Sequence, residues 1–352
     1  VMSIGKCIVL VLLVGYAWAS VGCLNPSGKA VDWWVMLKVP YLPDSTDPVA
    51  STGYAYAYAD ANSPYLDYFA QSLNNATSNP LKNTLNQIIN ADPSKVGWLM
   101  YNDESPDGST HSSYGHTKGD VAFDDNTGFW LIHSVPRWPE APPASYDYPD
   151  KEKSYGQSFL CGTFVLNYFD QIAEQFLLNK PYVYSSSMTS YQETALPHMV
   201  DVLNKDFNTK TPTASTINIV TKGGVQLRTF AKNGAWNMSL YEDLAEPGIK
   251  SGMLVETWQN GSGGKMPSFC TPEYAYDSIN VRELTINSEV SWPETKDHSK
   301  WGISYDISNW VCIGDINRMY SQNSRGGGTY CFQNSHLYQT ILGMISAADY
   351  CQ

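Results

Sequence analysis

His116-Thr117-Lys118 and His298-Ser299-Lys300 write one short string, His-x-Lys, at two places in a single chain. Seven residues after each histidine stands an aromatic-Asp pair, Phe123-Asp124 and Tyr305-Asp306. Each copy then runs through an aromatic-rich apolar stretch into a small polar cluster, Ile132-His133-Ser134-Val135 and Ile313-Gly314-Asp315-Ile316-Asn317. The repetition predicts one site assembled from two related halves. On a β-strand, residues i and i+2 share a face, so each His-x-Lys is expected to present an imidazole beside an ammonium. Two such strands meeting at a pseudo-two-fold axis would ring one pocket with His116, Lys118, His298 and Lys300. That pocket suits a phosphodiester. The lysines would neutralise the non-bridging oxygens and the charge that builds on them. One neutral imidazole could attack phosphorus, and a protonated one could supply the leaving oxygen with its proton. No metal and no cofactor are called for.

The chain around these strings alternates between the two periodicities. Gly28 to Pro40 reads as a strand stopped by proline, and Tyr54 to Tyr58, Gly97 to Tyr101 and Gly128 to His133 as further strands. Each His-x-Lys is expected to open a strand. Asn79 to Asn90, Gln157 to Leu178, Ala195 to Phe207 and Ser335 to Ala347 carry helical spacing. Ile217 to Val220, Gly224 to Arg228 and Met253 to Trp258 are strands of the second half, and Gly326-Gly327-Gly328 reads as a flexible segment. Alternating strands and helices predict an α/β class. The halves are placed at about 20–185 and 186–352, fused into one unit because no Ser/Gly linker divides them.

The chain has 352 residues, 43% of them hydrophobic and 16% charged, enough for a large core and against disorder. Lys6, the apolar run Ile8 to Val14 and Ala17-Trp18-Ala19 read as a secretory signal over residues 1–19, too short to span a membrane comfortably. Removing it takes away Cys7 and leaves six cysteines, Cys23, Cys161, Cys270, Cys312, Cys331 and Cys351. An even number in a secreted chain implies three disulfides, with 15 pairings open. Asn75, Asn237 and Asn260 head glycosylation sequons. The net charge of −12 suits a polyanionic substrate poorly at neutral pH. Near a lysosomal pH of about 5 the histidines charge and part of the carboxylates neutralise. The composition therefore favours an acidic compartment, lysosomal or extracellular, for any such substrate.

With those residues in view, the chain resembles the deoxyribonuclease II family of acid endonucleases, most of all its invertebrate, nematode-type members. The resemblance is carried by Gly28-Lys29-Ala30-Val31-Asp32-Trp33-Trp34, Tyr101-Asn102-Asp103, His116-Thr117-Lys118-Gly119, Ile132-His133-Ser134-Val135-Pro136, Tyr155-Gly156-Gln157-Ser158-Phe159-Leu160-Cys161, Asp297-His298-Ser299-Lys300-Trp301, Trp310 to Arg318 and Arg325-Gly326-Gly327-Gly328-Thr329-Tyr330-Cys331. These run in family order from about residue 23 to the C-terminus. The resemblance implies a phospholipase D-like fold of two pseudo-symmetric halves, with mixed β-sheets flanked by helices. It also implies metal-independent cleavage of double-stranded DNA at acid pH, leaving 3′-phosphate and 5′-hydroxyl ends. It further implies the pairs Cys23–Cys161, Cys270–Cys351 and Cys312–Cys331.

The wider superfamily places an Asp five residues after its Lys and then a Gly-Ser…Asn element. Here Asp124 and Asp306 come one position later, and His133-Ser134-Val135-Pro136 keeps neither Gly nor Asn. Activity on lipids is therefore disfavoured, and His133 is assigned a substrate-binding or supporting place with Asn317. His116 is expected to form a phosphohistidine and His298 to protonate the 5′ oxygen. Arg318, Trp301 and Asp297 are weaker neighbours, and His111, His198 and His336 read as structural. No His-Glu-x-x-His argues for a zinc hydrolase, and Gly156-Gln157-Ser158-Phe159-Leu160 is a broken esterase motif. A catalytically silent, secreted DNA-binding or host-interaction protein is the alternative. A monomer would suffice, since one chain completes the site, and no membrane partner is expected.

Overall fold

The structure is a computed structural model that describes residues 20–69, 71–74 and 78–352. The signal sequence and the acceptor Asn75 lie outside these residues. Asn237 is exposed, whereas Asn260 is half-buried with its Nδ2 covered.

Two β-sheets lie against each other. The first is built from β1 (Trp33–Lys38), β2 (Tyr56–Asp60), β3 (Ser63–Phe69), β4 (Gly97–Asn102), β5 (Lys118–Phe123), β6 (Thr127–His133), β7 (Gln157–Val165) and β8 (Val183–Ser187). Its spatial order is β3-β2-β1-β7-β6-β5-β4-β8. The second holds β9 (Ala214–Val220), β10 (Gln226–Lys232), β11 (Met253–Thr257), β12 (Ser278–Ile286), β13 (Val290–Pro293), β14 (Lys300–Ser304), β15 (Trp310–Gly314) and β16 (Gly327–Gln333). Its order is β13-β12-β11-β14-β15-β16-β10-β9, with β17 (Ile345–Ala348) added against β12. The β11–β12 pair is parallel amid antiparallel ladders. Among the described residues, six α-helices flank the sheets: α1 (Pro80–Ile89), α2 (Tyr168–Asn179), α3 (Ser190–Ala195), α4 (Pro197–Asn204), α5 (Glu246–Ile249) and α6 (Ser335–Met344). This is an α/β, two-halved, phospholipase D-like architecture.

The halves correspond strand for strand. Read outward, β2-β1-β7-β6-β5-β4 in one sheet matches β9-β10-β16-β15-β14-β11 in the other. Register fixes the match to the residue. Lys118 pairs with Asn102 and Lys300 with Thr257, while Lys38 pairs with Gln157 and Lys232 with Gly327.

The central strands are buried on both faces, which is why they read as near-continuous apolar runs. Along β1, Trp33, Val35 and Leu37 enter the core between the sheets, and Trp34 and Met36 enter an outer core beneath α1. Trp33 meets Phe332 of the other sheet with ring centroids 5.0 Å apart, and Trp130 meets Tyr330 at 4.4 Å. Helix α1 begins where Asn79 accepts the Lys82 amide, ahead of Pro80 in the first turn.

Three expectations change. Gln157 to Val165 is a strand and only the second part of that stretch, α2, is helical. Its apolar run is set by burial on two faces, which periodicity alone does not separate from a helix. The last helix stops at Met344, and the chain continues as β17. The triple glycine is also no flexible segment: it leads into and opens β16, in the middle of the second sheet. A Cβ at Gly326 would stand 2.3 Å from the Asn179 carbonyl oxygen, and one at Gly328 2.5 Å from that of Phe230. Close backbone approach, not mobility, demands glycine there.

Glu246 starts α5 fully buried and accepts a 2.6 Å hydrogen bond from Ser278 Oγ. Burial first, then the charge of Glu242, pushes its carboxyl up to about 8 from 4.5. A raised carboxyl stabilises the fold below its unfolded value and loses that contribution as pH climbs to the folded one. Glu246→Gln mimics the protonated acid. Relative to wild type, its unfolding free energy is expected to rise by about 1.4 kcal/mol per pH unit across that window. Urea titrations at pH 5 and pH 7.5 check it, and a constant difference between the two proteins would refute it.

Candidate active site

Lys118 and Lys300 are the first residues of β5 and β14, but their histidines lie just outside the strands. The imidazole and ammonium of each His-x-Lys therefore do not share a strand face, because only the lysine belongs to the strand. The His116 amide donates to the Gly326 carbonyl at 2.9 Å, and the His298 amide to the Gly156 carbonyl at 2.9 Å. Each histidine is bonded to the opposite half, so its own ladder begins only at the lysine. Gly156 and Gly326 occupy equivalent places before β7 and β16. A Cβ on Gly156 would lie 2.5 Å from Asp297 Oδ1.

The two imidazoles have different neighbours. His116 Nδ1 stands 2.9 Å from Asp103 Oδ2 and 3.0 Å from Arg325 NH1. Asp103 follows β4 and also binds Lys118 Nζ and, at 2.9 Å, Arg325 NH2. Burial alone would raise the Asp103 carboxyl, but Lys118 and His116, with Arg325, hold it well below the carboxylate range. A carboxylate only accepts, so Nδ1–H of His116 serves Asp103 and the Nε2 lone pair is left for chemistry. Trp258 takes the place after β11 that Asp103 takes after β4. Its ring meets His298 edge-on at 4.3 Å, and Tyr155 stacks on the imidazole at 3.9 Å and 10° while meeting Trp258 at 5.3 Å. His298 Nε2 is covered and has no hydrogen-bond partner. Lys300 Nζ donates to the His298 carbonyl at 2.8 Å.

These groups converge on a cavity of about 560 Å³ lined from both halves by His116, Lys118, Tyr155, Trp258, His298, Lys300 and Asn317, with Glu104, Arg137, Lys151 and Glu152 also in its wall. Burial, then Lys118, lowers His116 to about 3; burial, then Lys300 and Lys118, lowers His298 to about 2. Burial and Lys118 bring Lys300 to about 7. Lys118 has Asp103 as its counter-charge, whereas Lys300 forms no ion pair among the described residues, and an anion bound beside it would supply one.

Asn317 lines the cavity with its Oδ1 unpaired. His133 does not line it. It is wholly buried, with Nδ1 accepting from the Val135 amide at 3.2 Å, Nε2 3.6 Å from Asp120 and its ring against Trp138 at 5.2 Å. Burial lowers His133 to about 3 and raises the Asp120 carboxyl. That geometry fits support beneath Lys118 rather than substrate contact. Arg318 is buried against Glu242 and the Pro267 carbonyl, and Trp301 lies in the inter-sheet core. Asp297 accepts from Trp292 Nε1 and the Ser299 amide, both at 2.8 Å, and shapes the turn below His298. His111 stacks on Tyr182, His198 pairs with Asp170, and His336 meets Tyr65. Asp103, Arg325, Tyr155 and Trp258 are the site residues that the sequence reading did not assign.

Among the described residues, no group of three or more His, Cys, Asp or Glu is arranged to hold a metal ion, and no helix is long and apolar enough to cross a membrane. Disulfides join Cys23–Cys161, Cys270–Cys351 and Cys312–Cys331.

Known proteins resemble this chain over nearly its whole length. Plancitoxin-1 of Acanthaster planci is 35% identical over 97% of this chain and 95% of its own. Deoxyribonuclease-2 of Caenorhabditis elegans is 33% identical, covering 98% and 97%. Deoxyribonuclease-2-beta of Homo sapiens is 33% identical, covering 95% and 92%. The family model for Deoxyribonuclease II matches residues 22–351. With its paired His-x-Lys strings set in one cavity, the chain belongs to the deoxyribonuclease II family of nucleases.

Proposed function

We propose that this chain is an acid endodeoxyribonuclease that hydrolyses DNA without a metal, through His116 as nucleophile and His298 as general acid. The observation that carries the reading is the convergence of both His-x-Lys strings on one cavity. Lys118, Lys300 and the Asn317 amide bind the non-bridging oxygens. His116 Nε2 attacks phosphorus as the P–O5′ bond breaks, and His298 gives its proton to O5′. The result is a 5′-hydroxyl and a 3′-phospho-His116. A water then enters; His298 takes its proton, the hydroxide attacks phosphorus, the N–P bond breaks and a 3′-phosphate leaves. The unlike neighbours support this division. Asp103 accepts from His116 Nδ1 and turns Nε2 toward phosphorus. Tyr155 and Trp258 pack on the His298 ring and leave its Nε2 without a protein partner. The disulfides and the family fit a lysosomal or secreted place of work.

Plasmid cleavage at pH 5 in excess EDTA tests the proposal, with end-labelling of the products. Fragments whose 5′ ends accept a kinase label without prior phosphatase treatment are expected. A requirement for magnesium, or a maximum at pH 8, would overturn it. Binding without cutting would favour the silent alternative.

The lowered histidines add a pH dependence. Lowered to about 2, His298 is neutral at pH 5 and must be charged beside a phosphate to act. Binding therefore takes up a proton, and affinity rises as pH falls, by at most about tenfold per unit. A phosphorothioate oligonucleotide titrated calorimetrically at pH 5 in two buffers of different ionisation heat measures the uptake. Uptake near one proton is expected; none would contradict the assignment of the acid.

A further inference from the structure

The segments that hold the two histidines rest on a matched pair of buried lysines. Tyr155-Gly156 precedes β7, and Arg325-Gly326 precedes β16. Under the first, Lys38 Nζ donates to the carbonyls of Val39, Lys153 and Tyr155 at 3.0, 2.9 and 2.7 Å. Under the second, Lys232 Nζ donates to those of Gln322, Asn323 and Arg325 at 3.1, 2.8 and 2.6 Å. Both side chains are wholly buried, and among the described residues neither forms an ion pair. Each ammonium spends its three donors on three main-chain acceptors. The two lysines are equivalent in register, at the ends of β1 and β10.

A buried charge without an ion-pair contact is costly, even with Asp297 and Glu152 in the neighbourhood of Lys38 and Asp315 in that of Lys232, and packing alone would be served as well by an apolar side chain. What the two charges have in common is the loop each one pins. Tyr155, whose carbonyl Lys38 holds, stacks on His298, and the next carbonyl, that of Gly156, takes the His298 amide. Arg325, whose carbonyl Lys232 holds, reaches His116 and Asp103, and the next carbonyl, that of Gly326, takes the His116 amide.

We infer that Lys38 and Lys232 are cross-wired positioning residues: Lys38, on the sheet that carries His116, orients His298, and Lys232, on the sheet that carries His298, orients His116. Neither touches substrate. Burial lowers Lys38 to about 7 and Lys232 to about 8, so both carry their full set of donors at acid pH. The inference rests on the two-histidine reading of the site.

The test is made on full-length Lys38→Met and Lys232→Met, with Lys38→Gln and Lys232→Gln as partners that keep an amide donor. Imidazole 15N spectra, assigned with His116→Gln and His298→Gln, read each ring without turnover. Lys38→Met is expected to move the His298 signals and leave those of His116, and Lys232→Met to do the reverse. kcat should fall about 10–100-fold in each Met variant, with KM little changed and part of kcat restored in the Gln variants. Movement of the ring on the variant's own sheet, of both rings alike, or of neither overturns the inference. So does failure of both Met and Gln variants to fold, which would make the lysines purely structural. Crossed movement in a protein that does not cut DNA would sink the proposed function and leave the cross-wiring standing.

Discussion

His298→Ala is expected to cut plasmid DNA at least about 1000-fold more slowly at pH 5 than the wild type, and His116→Ala to do no better. The two losses should separate on a second substrate. A nucleoside 3′-(p-nitrophenyl phosphate) has a leaving group that departs without a proton. His298→Ala should therefore keep release of p-nitrophenolate in its first turnover, because the attack by His116 is intact. The phosphorylated His116 should then build up, since no group remains to activate water, and mass spectrometry of the quenched protein would find it. His116→Ala should release nothing above background. The opposite pattern would exchange the two roles. Equal cutting by both variants and wild type would place the chemistry outside this cavity.

The second large effect belongs to Asp103. Its carboxylate is the only acidic partner of Lys118, His116 and Arg325 among the ion pairs of the described residues. Asp103→Asn leaves Lys118 buried and unpaired, a change that costs about 3–5 kcal/mol in comparable sites. It also removes the acceptor that fixes the His116 ring, for which a fall in kcat of about 100- to 10,000-fold is the precedent in carboxylate-oriented histidines. The pH sign is definite. Asp103 is depressed, so its contribution is present above the unfolded value of 3.8 and lost as pH falls below it. The stability gap between Asp103→Asn and wild type should thus be full at pH 5 and narrow toward pH 3. Thermal melts across that range, with kcat at pH 5, check both parts. A variant of wild-type stability would mean that Lys118 is not held by this carboxylate.

What could be read from the sequence follows from how each residue is placed. The paired His-x-Lys strings are local and duplicated, so the two halves and four central side chains were legible. Asp103, Tyr155, Trp258 and Arg325 were not, because each comes from a segment other than the one bearing its histidine. Tyr155 and Arg325 come from the other sheet altogether. Their residues lay in view within Tyr101-Asn102-Asp103, Tyr155-Gly156 and Arg325-Gly326, but nothing in a linear pattern says which turn faces which ring. His133 stood in a motif and proved to be interior. A histidine at the last position of a strand carries no mark of which way it points. The glycines of β16 read as slack because composition records freedom in the chain, whereas here it records backbone packed too closely for a side chain.

The three disulfides have a bearing on how the molecule survives digestion. Cys23–Cys161 ties the segment before β1 to β7 of the first sheet, and Cys270–Cys351 and Cys312–Cys331 lie within the second half. None bridges from one sheet to the other. A protease that clips the connection between Ser187 and Ala214 would release two fragments on a denaturing gel even without reductant. In native solution the same two fragments would stay together through the aromatic contacts of Trp33 with Phe332 and Trp130 with Tyr330. In a protease-rich compartment, such a clipped molecule would still be a working one.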